Sequence, residues 1–243
     1  SLDEVLLKSI RVEKDAPVTH SNVSKEELEN RNLGQDLPVL LNFLPSVVST
    51  TDAGAGVGYT GLRVRGSDAT RINVTLNGIP YNDSESQGTI WVNMPDFTSS
   101  VESLQLQRGV GTSTNGTGAF GASINILTDE ISRHAYGEIS NSFGSYATRK
   151  HNLKFSTGLL SDHFELSGRV SKIMSDGYID RASSDLKSYF FQGAYKDEQT
   201  LVKALIFGGS QKTYQAWNGV EESILRSGNR TYNELGTEKS GEP

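Results

Sequence analysis

Hydrophobic and polar positions follow two regimes that change over near residue 130. Before it, short apolar segments are broken by Gly, Asn and Pro. After it, apolar and polar residues alternate with a period of two over longer, evenly spaced runs, the signature of half-buried strands. In the first regime, Ser24-Lys25-Glu26-Glu27 is a capping box. The Ser24 hydroxyl can accept the third amide hydrogen while Glu27 reaches back, so a short helix through about Arg31 is expected. Asp36 can cap a second helix with Pro38 in its first turn, where a missing N–H costs little. Leu37, Leu40, Leu41 and Leu44 give that helix one apolar face, and Pro45 ends it. Strand patterns follow at Leu62–Arg65 and at Arg71–Leu76. Asn77-Gly78 then predicts a tight hairpin, because both residues accept positive φ, and Ile79-Pro80-Tyr81 is the returning strand. Further strands are expected at Val101–Gln107 and Ala122–Leu127, with a Gly-rich loop over Gly109–Gly121 between them.

The second regime reads as five strands near 135–145, 147–157, 162–174, 186–197 and 200–212. The third is the clearest: Phe164, Leu166, Gly168 and Val170 share one face, Glu165, Ser167 and Arg169 the other. Aromatic residues gather near strand ends. The connections 160–162 and 197–199 are short, whereas 175–184 and everything after about Lys212 are long and polar. Aromatic girdles with turns of unequal length on the two sides are features of membrane β-barrels. Five strands close no bacterial barrel of this kind, and open edges are templates for aggregation. The sequence therefore reads as part of a larger object.

Composition narrows the classes. The 243 residues carry a net charge of -6, which argues against a nucleic-acid binder. The chain has no Cys, which excludes a disulfide scaffold, a thiol nucleophile and Cys-ligated zinc. No run of about 18 apolar residues marks a membrane-spanning helix, though barrel strands would escape that test. Ser1-Leu2-Asp3-Glu4 lacks a basic and then apolar leader, as expected of a cytoplasmic or a processed chain. Two G-x-G-x-x-G stretches, Gly56–Gly61 and Gly116–Gly121, are followed by strand patterns and not by helices, which argues against a dinucleotide site. Asp83 and Glu85 are too few for a Ca2+ site. No spacing assembles a catalytic triad, and no enzyme activity is expected.

Several segments in order resemble the TonB-dependent outer-membrane receptors. Leu62-Arg63-Val64-Arg65-Gly66 followed by Arg71–Pro80 resembles the family's plug signature, an Arg-Gly pair ahead of a strand ending in Asn-Gly or Asp-Gly. Val101–Gly109 resembles a second plug segment, and Gly118–Ile126 resembles the one that closes the plug. The resemblance implies an α+β plug over residues 1–131. The first five or so antiparallel strands of a large transmembrane β-barrel would follow over 132–243, ending in an extracellular loop. It implies active uptake of a scarce nutrient, such as an iron–siderophore or cobalamin, across the bacterial outer membrane, with the plug facing the periplasm.

The resemblance also implies roles for particular residues. Leu2, Asp3, Glu4, Val5, Leu6 and Leu7 sit where the family carries its TonB box, which adds a strand to TonB of the TonB–ExbB–ExbD complex. Arg65 and Arg108 would meet acidic residues on the barrel wall, supplied by strands of a remaining barrel polypeptide. The plug loops 52–61 and 81–93 would meet the ligand, a metal chelate or vitamin, through Tyr59, Gln87 and Trp91. Neither loop contains a His, so haem is disfavoured within this chain. No cofactor and no metal site are implied. The alternatives are a surface receptor that signals through the periplasm and an isolated plug fragment without transport.

Overall fold

The computed structural model describes residues 11–13, 17–110 and 119–237. Its first half is built on a mixed sheet. β1 (His20–Ser24) pairs antiparallel with β6 (Val101–Arg108), and β6 pairs antiparallel with β7 (Ala122–Thr128). β7 lies parallel to β4 (Ile72–Leu76), and β5 (Ile79–Pro80) closes the edge. A separate ribbon joins β2 (Val47–Thr51) to β3 (Thr60–Val64). The β4–β5 hairpin turns on Asn77 and Gly78, with φ of 49° and 83°. Positive φ at both positions gives the turn the twist of the strands it joins.

Two short helices pack on these strands, the first against β1 and β6 and the second against the β2–β3 ribbon. α1 (Lys25–Glu29) starts on the capping box: the Glu27 N–H donates to Ser24 Oγ and the Ser24 N–H donates to Glu27 Oε2 at 2.9 Å. α2 (Leu37–Leu40) buries Leu37, Leu40, Leu41 and Leu44. Asp36 has cap backbone geometry, but its side chain makes no capping bond. It accepts instead from Thr60 Oγ1 at 3.0 Å, so it ties α2 to β3. Leu104, Leu106, Ile124 and Ile126 are fully buried in one core with Leu28, Leu37 and Leu41 of the helical segments.

The second half is one antiparallel meander in sequence order: β8 (Tyr136–Phe143), β9 (Arg149–Ser156), β10 (Phe164–Ser175), β11 (Ser184–Lys196) and β12 (Leu201–Thr213). Every end lies within two residues of the sequence expectation. A short helix, α3 (Glu222–Arg226), lies in the segment that follows. The sheet is inverted relative to a water-soluble one. Lys150, Asn152, Lys154, Glu165, Arg169 and Gln192 are buried against the first half. Ile139, Leu153, Leu166, Val170 and Ile206 are 44–75% exposed on the opposite face. An outward apolar face over a polar interior is the arrangement of a transmembrane barrel wall. The edge strands β8 and β12 do not pair with each other, so the barrel is not closed.

Gly168 sits on the outward face where two rings converge. A Cβ there would lie 2.6 Å from Phe191 and 2.9 Å from Phe155. The missing side chain leaves room for both rings, which tilt 58° to each other with centroids 6.5 Å apart.

Candidate functional site

The two halves meet through buried charge. Asp96 follows Pro95 in a left-handed conformation, φ 52°, and begins a 3-10 turn over Phe97–Ser100. That backbone aims its carboxylate at the inner face of the barrel sheet. Lys150 Nζ lies 2.7 Å from Oδ1 and Arg169 3.3 Å from Oδ2. Asn152 Nδ2 and Ser171 Oγ each donate to Oδ2 at 2.6 Å, and Ser99 Oγ donates to Oδ1 at 2.6 Å. Burial alone would raise this carboxyl, but the Arg169 and Lys150 charges outweigh it and hold the group down near 2.

Asp129, just past β7, forms a second link. Lys154 approaches within 2.8 Å. Lys25 lies 2.9 Å from Asp129 and 3.1 Å from Glu102. Burial disfavours the Lys25 charge, yet the two carboxylates raise its affinity for the proton above the ordinary value. Gln192 Nε2 donates to the Asp129 carbonyl at 3.2 Å. The first half thus offers carboxylates and the barrel wall offers cations. Neither Asp96 nor Asp129 was found by sequence reasoning. The available signal was the set of Lys150, Lys154 and Arg169 on the polar face of strands, where charges need partners.

Asp36 is buried with one oxygen bonded to Thr60 and Oδ1 without a partner. Burial pushes it up to about 8, against the hydrogen bond from Thr60, and the Asp96 charge adds to the rise. The carboxyl is therefore largely protonated at neutral pH.

The residues predicted to act are placed as follows. Tyr59 is 37% exposed in the loop between β2 and β3, edge-to-face with Trp217 of the segment after β12, the ring centroids 5.9 Å apart. Tyr178 of the 175–184 connection donates its backbone N–H to Ala53 in the same plug loop and stacks edge-on with Tyr146. Aromatic rings of both halves thus gather at the end of the long connections. Gln87 is exposed with φ 58°, and its carbonyl accepts from Asn82 at 2.8 Å. Trp91 is only 5% exposed and lies in the core cluster with Leu62, Ile72 and Val74, so its ring packs the interior and does not face a loop surface.

Arg65 is exposed with φ 51°, beside Gly109. Arg108 is buried; its Nε donates to the Pro45 carbonyl at 3.0 Å and a terminal nitrogen donates to Ser21 Oγ. Burial and the nearby Arg65 charge lower its proton affinity. Residues 2–7 lie outside the described residues. Four positions on, the chain is fastened to the sheet. Arg11 donates to Ser103 Oγ, the Ser103 carbonyl and the Asn125 carbonyl at 2.9–3.0 Å. The Gln105 amide holds the Val12 N–H and carbonyl at 2.9 and 3.1 Å. Among the described residues no cluster of His, Cys, Asp or Glu could hold a metal ion.

Residues 12–123 match the sequence profile of the TonB-dependent Receptor Plug Domain. The chain therefore carries a TonB-dependent receptor plug, followed by part of a barrel wall. Comparison with curated protein sequences gives no significant match. Among solved structures, the unliganded ferric citrate transporter FecA superposes with a TM-score of 0.71 at 15% identity, covering 90% of this chain and 35% of its own. The copper transporter OprC gives 0.68 at 16% identity, covering 84% and 33%. The ferripyoverdine receptor of the outer membrane of Pseudomonas aeruginosa gives 0.68 at 14%, covering 86% and 28%. Coverage of this size extends past the plug into the meander, so plug and wall share that fold. The chain spans about a third of the length of these structures.

Proposed function

We propose that this chain is the plug and opening barrel segment of an outer-membrane receptor that takes up a metal chelate or similar scarce nutrient, driven by TonB. The observation that carries the reading is the inverted sheet: its apolar face points outward while its cations grip a plug-domain carboxylate. The domains are taken as plug 1–131 and barrel 132–243, with the long connections on the extracellular side. There Tyr59 and Gln87 contact the ligand, Trp91 supports their loops from beneath, and rings such as Trp217 complete the rim. The similar structures are a ferric citrate transporter, a copper transporter and a ferripyoverdine receptor, which supports a metal-bearing cargo as a class.

Residues 2–7 are the TonB box. Arg11 and Val12, fastened to β6 and β7, would pass a pull on that box into the plug sheet. Arg65 and Arg108 meet acidic residues on strands that complete the barrel. The test is deletion of residues 2–7 in the full receptor. Uptake should be lost while surface ligand binding stays intact. Uptake that survives the deletion would reject TonB coupling through this segment, and loss of both would point to a misassembled receptor.

A further inference from the structure

The outward face of the barrel wall carries one ordered polar row. The register sets Asn141 opposite His151, His151 opposite Lys172, Lys172 opposite Lys187, and Lys187 opposite Ser210. The next outward row toward the long connections adds Arg149 and Lys212. Asp185 is the one acid among them, 3.5 Å from Lys172. One row in the other direction the residues turn apolar, with Ile139, Leu153, Val170 and Tyr189 in line. The two rows border a groove of about 710 Å3. At the far end of the same face stand Phe164, Tyr195 and Val202. The cations thus gather at one end of the outward face.

This arrangement has a cost that needs an occupant. Like charges directly across a strand pair destabilise the sheet, and Lys172 faces Lys187 with a single carboxylate nearby. A lysine on a lipid-facing surface is tolerated only near the interface, where headgroups lie. A molecule with an anionic head and an apolar tail would neutralise the row and fill the groove below it. We propose that this groove binds a phosphate-bearing membrane lipid. Its phosphate sits on His151, Lys172 and Lys187, and an acyl chain runs along Ile139, Leu153, Val170 and Tyr189. The lipid belongs to the bilayer around the receptor and is distinct from the transported cargo. The proposal rests on the outer-membrane reading above.

The test is native mass spectrometry of the full receptor in mild detergent, titrated with phosphatidic acid and with diacylglycerol of the same chains. Phosphatidic acid should be retained preferentially. Lys172→Gln with Lys187→Gln should weaken its retention roughly 30-fold, and Lys187→Gln alone by about fivefold to tenfold, from the usual contribution of each lysine near an anionic lipid surface. Millimolar inorganic phosphate should not displace the lipid. Equal retention of the two lipids, retention unchanged in the double variant, or displacement by free phosphate would each overturn the proposal. Insertion into phosphatidylcholine vesicles, read by protection of the strands from protease, separates the two readings. If the receptor inserts and shows no phosphate preference, only the lipid site fails. If it does not insert, the outer-membrane reading fails with it.

Discussion

Asp96 occupies a conformation that few non-glycine residues adopt, and its carboxylate receives two cations and four neutral donors, Asn32, Ser99, Asn152 and Ser171. Strain of this sort persists where the surroundings over-determine it. Removing one member of a buried ion network leaves the others uncompensated. Asp96→Asn should therefore destabilise the plug–wall contact by about 3 kcal/mol, read as a lowered melting temperature of the receptor. Because this carboxyl is held low when folded, its contribution is present above about pH 4 and is lost as the pH falls toward 2. Asp36 behaves in the opposite sense. Between about pH 4 and 8 the folded protein keeps a proton that the unfolded chain releases, so this group subtracts stability as the pH rises through that window. Asp36→Asn preserves the shape and can still accept from Thr60. It should raise the melting temperature at pH 8 by a few degrees, roughly, and change little at pH 4. A thermal scan at the two pH values decides it.

At the scale of elements, the hairpin at Asn77-Gly78 and the capping box were legible because each is settled by residues adjacent in sequence. The five meander strands were legible because their period-2 pattern is long and uninterrupted. Asp36 was only half legible: its place at the helix entry was local, but its bond to Thr60 depends on how β3 packs. Asp96 and Asp129 were not legible, since their partners lie 25–104 positions away. Trp91 read as a loop residue because it follows the polar stretch 82–89, yet the ring turns inward to the core. Gly168 shows the same limit, as its role belongs to two rings on neighbouring strands. Gly168→Ala should force Phe191 or Phe155 off the sheet and cost about 1–3 kcal/mol. Phe191→Ala in the same chain should recover part of that loss. A double-mutant cycle on melting temperature tests the coupling. Strictly additive losses would show that the rings do not explain the glycine.

At the scale of the whole molecule, the question is whether the plug moves against the wall during uptake. The tight ion pairs argue for a strong resting contact, and a pull arriving at Arg11 would have to overcome it or bypass it. The plug loop and β11 offer a direct test, because a Cβ built on Gly58 would lie 3.8 Å from the Ser184 Cβ. That separation is the usual one for a disulfide. The chain has no cysteine of its own, so a Gly58→Cys, Ser184→Cys pair has no competing partner within these residues. Gly58 has φ 97°, and a cysteine there carries strain of about 1–3 kcal/mol. Gly58→Cys alone is therefore the control for that strain. The oxidised pair should bind ligand as the unmodified receptor does and lose uptake, and a reductant should restore it. Full uptake with the cross-link complete would show that this corner of the plug stays on the wall throughout. Passage would then have to open elsewhere, and the Asp129–Lys154 contact would be the next place to tether.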